Sequence, residues 1–446
     1  MKDLTKGNVY KTFFLFGFPL VLSGLLSQAY NVIDTAIAGQ YLGEKGLASI
    51  GSTSPLILFI TSIFWGFMTG FSIYIARVFG SGDYKTIKPA VYSQIIMLAV
   101  IAIVVCSLAI IFKDALFTFL NVDKEIYSSA FEYFAVYVGG LFFITSTTFF
   151  VLIFNALGIS TFPFFMSLIS AVLNIVGNIV SVVVLGWGVM GIALSSVISA
   201  FVVWVVAFFK LRRCFKELGV DKDKFKFSFE YVKKASPYVI PNTIQQPVLY
   251  LASLALSPMV NAISVSATAS YSVVTRVFDV INSVYVHSAK SLANYSSQCV
   301  GHGRWDKIRK GVLAGLIQGV AFITPFILAC AILPKQICSL FFNAGTDSVA
   351  REYSYIFVGG YLPFVYLNMI NNLFHALYRG VKATFHLFST TFLGTAVRLI
   401  LSAILIVSYG MIGFFMGWVL SWAVEAIYTV FLFFLGKWYK PEKVTT

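Results

Sequence analysis

Residues 80–91 read Gly-Ser-Gly-Asp-Tyr-Lys-Thr-Ile-Lys-Pro-Ala-Val, and residues 301–312 read Gly-His-Gly-Arg-Trp-Asp-Lys-Ile-Arg-Lys-Gly-Val. Each stretch follows one long apolar run and precedes another, so a single turn is used twice, Gly80 recurring as Gly301. Other landmarks keep nearly the same step. Glu132, Tyr133, Val138, Gly139 and Gly140 return as Glu352, Tyr353, Val358, Gly359 and Gly360, and Val189-Met190-Gly191 returns as Met411-Ile412-Gly413. A period this long in a chain this apolar indicates two homologous membrane halves, a construction common among secondary transporters.

Composition supports that reading. Of 446 residues, 59% are hydrophobic, 17% aromatic and 11% charged, where a soluble domain carries about 25% charged residues. A spanning helix takes about 20 mostly apolar residues. Twelve such spans can be placed, beginning near residues 12, 47, 88, 127, 160, 190, 234, 262, 310, 350, 383 and 412. The expected fold is therefore an all-α integral membrane protein of twelve transmembrane helices in two six-helix lobes. Six is even, so both halves enter the membrane the same way, related by a pseudo-twofold axis along the membrane normal. A closed β-barrel is excluded by the length of the runs, since barrel strands are about 10 residues long and alternate in polarity. The sequence divides into an N-terminal lobe (1–211), a cytoplasmic linker (212–230) and a C-terminal lobe (231–446).

The net charge of +14 invites a nucleic-acid reading, which the location of the basic residues removes. With the N-terminus inside, 24 of the 32 Lys and Arg fall on that side, nine of them between residues 210 and 234. Five fall on the other side: Lys45, Lys113, Lys124, Lys335 and Arg351. That bias is the positive-inside rule and predicts a plasma-membrane protein with both termini in the cytoplasm. The linker reads as a solvated segment able to touch anionic lipid. Five cysteines in mostly apolar surroundings do not form a disulfide or metal framework. Ser27-Gln28-Ala29 imitates a signal peptidase site, but Pro19 and Gln28 recur as Pro237 and Gln246, so the first span is expected in the mature fold.

A charge at the bilayer centre costs about 2.5–3.5 kcal/mol on insertion scales, so each one inside a span asks for a partner or a purpose. Asp34 is the sharpest case. Ser23, Ser27, Tyr30, Asn31 and Asp34 share one face of the first helix, and no basic residue lies on that helix to neutralise the carboxylate. Its repeat counterpart is Ala252, so the acid is not scaffold common to both halves. It can take up a proton or hold Na⁺ with nearby oxygens; alternatively it is a structural acid satisfied by hydroxyls. On the fifth span Asn174 and Asn178 share a face, able to serve a carboxylate or a cation or to act as interhelical glue. On the eighth span Arg276, Asp279, Ser283, His287, Lys290 and Asn294 fall within an arc of roughly 80°. Arg276 and Asp279 are three apart and can neutralise each other; His287 and Lys290 remain, lining a substrate cavity or snorkelling toward the cytoplasm. Arg398 and Glu425 read as a structural pair between the last two helices.

The elements Asn31-Val-Ile-Asp34-Thr-Ala-Ile-Ala-Gly39 with Gly43, Gly80-Ser-Gly82-Asp, Leu173-Asn174 and Gly186-Trp-Gly188-Val-Met-Gly191 resemble the multidrug and toxic compound extrusion (MATE) family, closest to its bacterial branch, along essentially the whole chain. The resemblance implies an exporter exchanging an internal organic solute or drug for external H⁺ or Na⁺ by alternating access. It makes Asp34 the coupling acid, with Asn174 matching the fifth-helix asparagine and Ser196 standing where relatives carry a threonine. Where some members carry a second aspartate this chain has Asn178, which favours H⁺ over Na⁺. Tyr30, Asn31, Arg276, Asp279, His287 and Lys290 are the substrate-cavity candidates, and the basic ones keep anionic or zwitterionic solutes in play. A flippase for a lipid-linked or amphipathic anionic substrate is the alternative. The four histidines show no metal-ligand spacing and no phosphate-binding loop is visible, so neither an enzyme nor an ATP-driven pump is expected. The expected partners are small solutes and membrane lipid, the expected state a monomer, and the expected cofactors none beyond the coupling ion.

Overall fold

In a computed structural model, residues 1–120, 122–220, 227–342, 347–436 and 438 are described. Within lipid every backbone N–H and C=O must be satisfied inside its own segment, which leaves helices as the economical solution for long apolar runs. The described residues contain no strand. The spans are α1 (Val9–Gly43), α2 (Lys45–Ser81), α3 (Tyr84–Ile111), α4 (Tyr127–Gly139 and Leu141–Ala156), α5 (Thr161–Val184) and α6 (Gly188–Glu217). The second half supplies α7 (Phe229–Asn261), α8 (Val265–Gly301), α9 (Ile308–Ile332) and α10 (Ser348–Ile356 and Val365–Val381). The stretch Thr384–Phe434 breaks at Gly410 (φ 56°), giving α11 (384–409) and α12 (411–434). Seven described helices are long and apolar enough to cross a membrane, or eight if the bent α4 is one span. The gap to twelve has a physical reason. One long helix is really two, and α7, α8 and α10 carry polar faces that lower their apolarity.

The repeat seen in the sequence is present in the backbone. Gly82 (φ 78°) and Gly303 (φ 69°) both take the left-handed conformation in the α2–α3 and α8–α9 turns, where a side chain would be strained. The glycine pair of the fourth and tenth spans also recurs. Gly139 and Gly140 lie where α4 bends by 47°, and Gly359 and Gly360 lie in a wide π turn at Phe357–Tyr361 that interrupts α10.

The chain forms two compact units, and these are divided differently from the 1–211 and 231–446 lobes expected from chain order. Unit 1 comprises Met1–Asp3 and Leu25–Pro247, and unit 2 comprises Leu4–Gly24 and Val248–Thr446. The opening half of α1 thus counts with the later helices, and the opening half of α7 with the earlier ones. Glycines show why. In unit 1, a methyl group at Gly66 or Gly70 of α2 would strike the backbone of α7 at Asn242–Thr243 or Tyr238–Val239. In unit 2, Gly17 of α1 lies against Gln318 of α9, and Phe13 packs edge-on against Tyr295 of α8 with ring centroids 4.9 Å apart. Small residues that let helix backbones approach are the usual cement of helix pairs in lipid. Segment 221–226 of the expected linker, with Lys222, Lys224 and Lys226, and the C-terminal Lys437, Lys440 and Lys443 lie outside the described residues.

Candidate functional site: a carboxylate–carboxamide relay and a cationic helix face

In unit 1, four residues singled out in the sequence meet across three helices. Asn178 of α5 donates from Nδ2 to Asp34 Oδ1 of α1 at 2.5 Å and to Asn174 Oδ1 at 2.9 Å. Asn174 Nδ2 donates in turn to Ser196 Oγ of α6 at 3.0 Å, and Ser196 donates to the carbonyl of Ile192 at 3.2 Å. Tyr30 OH lies 3.5 Å from Ser196 Oγ and is, with Asn178, the hydrogen-bonding side chain beside Asp34. Both asparagines are fully buried, while Asp34 is half-buried. The result is a directional chain in which one end is an ionisable carboxylate and the other a backbone carbonyl. Asn178 Oδ1 is buried with no hydrogen-bond partner, a condition that costs on the order of 1–3 kcal/mol.

The local backbone contributes. Immediately after Asn178 the helix widens into a π turn over Ile179–Val184, a deformation frequent at functional sites. Ser181 in that turn meets Ser195 of α6, their hydroxyl oxygens 3.1 Å apart, and Gly191 leaves the room for Ser181 to sit there. Tyr133 and Tyr137 of α4 complete the surroundings of Asp34. They were not picked out as site residues; the available signal was a pair of tyrosines four apart in a span, which puts two hydroxyls on one helix face. Asn31 is exposed, and its carbonyl accepts from Thr35 Oγ1 at 2.9 Å.

The polar face of α8 belongs to unit 2. Ser283, His287, Lys290 and Asn294 follow one another along it, but the expected neutralisations differ from those formed. Arg276 is the charged neighbour of Asp279, yet the two make no direct ion pair; both are exposed. His287 is not free: its Nδ1 lies 2.8 Å from the carbonyl oxygen of Ser283, and Gly24 of α1 packs against the ring. Lys290 is half-buried, and among the described residues its ammonium has no hydrogen-bond or ion-pair partner. Its charged neighbours are His287 and, from α10, Arg379.

Arg398 and Glu425 are not a pair. Glu425 Oε1 lies 3.0 Å from His375 Nε2 of α10, and Oε2 accepts from Asn371 Nδ2 at 3.2 Å. Arg398 donates to Ser253 Oγ at 3.2 Å and lies over the Trp418 ring. The sequence gave two opposite charges on adjacent helices, but the side chains point to different neighbours. Among the described residues no three His, Cys, Asp or Glu converge as a metal site.

A multi-pass helical membrane protein with a duplicated half and a carboxylate relay inside one unit has the organisation of a secondary transporter. The chain belongs to the MatE family of transporters, whose family model it matches over residues 19–180 and 241–404. It is similar to the probable multidrug resistance protein YoeA of Bacillus subtilis, 23% identical over 370 residues, covering 81% of this chain and 80% of that one. It is also similar to an FAD transporter of Shewanella oneidensis, 23% identical over 339 residues, covering 73% of this chain and 72% of that one. Among solved structures, a MATE in complex with MaL6 superposes with a TM-score of 0.89 at 19% identity, with 97% of both chains covered. A MOP superfamily transporter from Pyrococcus furiosus, described as having a binding pocket of reverse polarity that suggests a different function, superposes at 0.88 with the same identity and coverage. These likenesses carry the twelve-helix fold and bring the chain into a family of transporters, not enzymes.

Proposed function

We propose that the protein is a proton-coupled antiporter that exports small organic solutes by alternating access, with Asp34 as the coupling acid. The observation that carries the reading is the direction of the bond between Asn178 and Asp34. The carboxamide turns its N–H groups toward both Asp34 and Asn174. A donor suits a carboxylate that exchanges a proton on its other oxygen. Na⁺ would instead ask for a shell of oxygens aimed at the ion. No cation stands among the groups acting on Asp34, so its charge is balanced by a proton arriving from outside. Protonation weakens the charge-assisted bond from Asn178 and loosens the α1–α5–α6 relay, biasing one access state over the other. One proton moving down 100 mV supplies about 2.3 kcal/mol, enough to shift a two-state balance about fiftyfold. The basic-residue bias supports a plasma-membrane location with cytoplasmic termini, and a monomer is the working unit.

The substrate class follows from α8. A half-buried Lys290 with only cationic neighbours favours solutes bearing an anionic group, zwitterions included. The FAD transporter relative and the reverse-polarity pocket of the archaeal structure lend this support. The test is efflux from proteoliposomes under a pH gradient or a Na⁺ gradient imposed separately, with cationic, zwitterionic and anionic dyes. Efflux driven by the pH gradient and lost in Asp34→Asn is the expected outcome. Equal efflux from wild type and Asp34→Asn would end the coupling assignment.

A further inference from the structure

Within unit 1 a groove of about 450 Å³ runs between α2, α3 and the first half of α7. Its wall along α7 extends from Phe229 to Ile244, a rise of roughly 22 Å at 1.5 Å per residue. That exceeds the ~15 Å depth of one leaflet's hydrocarbon, so the groove spans from the polar boundary into the apolar interior. Ile240 and Ile244 are more than half exposed along it, and Phe67 of α2 lines the opposite wall. Apolar exposure alone is ordinary on a lipid-facing surface; the polar residues decide what this groove is for.

Two polar side chains line it. Gln94 of α3 is 1% exposed, and among the described residues neither Oε1 nor Nε2 of its carboxamide has a hydrogen-bond partner. Lys233 of α7 is exposed, and its ammonium has no ion-pair partner. Its neighbour Lys234 is held by Glu230 at 2.7 Å. The two lie at similar depth, because the backbone N–H of Ser228 donates to Ser93 Oγ at 3.3 Å and ties the start of α7 to α3 beside Gln94. One end of an apolar groove therefore offers a free cation and an unsatisfied amide, close to the basic segment that joins the two halves.

We propose that this groove is a binding site for an anionic phospholipid, which lays an acyl chain along Ile240, Ile244 and Phe67, sets its phosphate on Lys233 and accepts a hydrogen bond from Gln94 Nε2 on an ester or phosphate oxygen. The selectivity for net negative lipid comes from Lys233. The assignment needs only that the helices span a membrane and is independent of the coupling chemistry.

The experiment uses the full-length delipidated protein in detergent, titrated with phosphatidylglycerol or with phosphatidylcholine of the same chains, one-to-one complexes being counted by native mass spectrometry. Wild type should prefer phosphatidylglycerol about fivefold, the worth of one lysine at a lipid surface. Lys233→Gln should bring the ratio near one, and Gln94→Leu should weaken both lipids without changing it. Lys310→Gln, an exposed lysine of unit 2, should leave the ratio as in wild type. A ratio unchanged in Lys233→Gln, or lowered equally by Lys310→Gln, overturns the site, as does displacement of the lipid by inorganic phosphate at equal concentration.

Discussion

Replacing Asn178 by aspartate should convert the relay into a cation site. In the native protein the carboxamide nitrogen sits 2.5 Å from Asp34 Oδ1. The substitution exchanges that donor for a second carboxylate at the same place. Two carboxylates about 4 Å apart repel by about 4 kcal/mol at an effective dielectric of 20, and no basic side chain is at hand to relieve them. The pair must therefore recruit a cation, and Ser196 Oγ and Asn174 Oδ1 supply neutral oxygens nearby. At Na⁺ about a hundred times its dissociation constant, binding stabilises the folded state by about 2.7 kcal/mol. Melting curves in detergent, with Na⁺ replacing choline at constant ionic strength, read this directly. Asn178→Asp should melt higher in Na⁺, wild type should not respond, and the gain should disappear in the double variant with Asp34→Asn. A Na⁺ response in wild type of the same size would refute the reasoning, because the response would then not depend on the second charge.

Further predictions concern other parts of the molecule. Glu425→Gln or His375→Leu alone should destabilise by about 3–5 kcal/mol in denaturation, since each leaves a buried partner without its counter-charge, whereas Arg398→Gln should cost less because Arg398 does not pair with Glu425. Gly66→Ala should lower the melting temperature sharply by forcing α2 from the backbone of α7, while Gly51→Ala, which has open space around it, should not. Removing both hydroxyls beside Asp34, in Tyr133→Phe with Tyr137→Phe, should shift the pH at which efflux is half-maximal while leaving folding intact. In the loop before α10, the Ser266 hydroxyl donates to Asp347 Oδ2 at 2.5 Å and holds that carboxyl below its usual range. The stabilisation this gives is present above about pH 4 and fades as the pH falls through the lowered value; Ser266→Ala should remove that acid-side dependence, read by melting at pH 3–6.

The relay was legible before any coordinates because each member is anomalous for its position. A lone acid, two carboxamides four apart and a serine in apolar spans stand out against their surroundings, and helical spacing places them on particular faces. Tyr133 and Tyr137 were not, since tyrosine in a membrane helix is ordinary and only the third dimension reveals that a carboxylate lies beyond it. The assignment of Glu425 failed for a related reason. Sequence supplies sign and helix, while the partner is chosen by rotamer and by which helix packs on which face, and His375 on α10 was closer than Arg398 on α11. The exchange of the opening halves of α1 and α7 between compact units was hidden as well, because contiguity in the chain says nothing about which neighbours a span's first turns will touch. Gln94 carries no periodic or charge signal at all, and its interest comes entirely from lacking a partner in a groove.

The π turn over Ile179–Val184 has a consequence of its own. Such a turn accommodates one residue more than an ordinary helical turn, so removal of any single residue there lets the segment relax to regular α geometry. Everything beyond the deletion then rotates by about 100° relative to Asn178, and Ser181 leaves its place against Ser195. The dependence is on how many residues the turn contains rather than on which ones, Ile, Val and Ser being replaceable within their apolar setting. Alignments of relatives that allow gaps freely in this helix will erase the feature, and ancestral reconstructions that lose one residue here will carry every side chain of the relay without its arrangement.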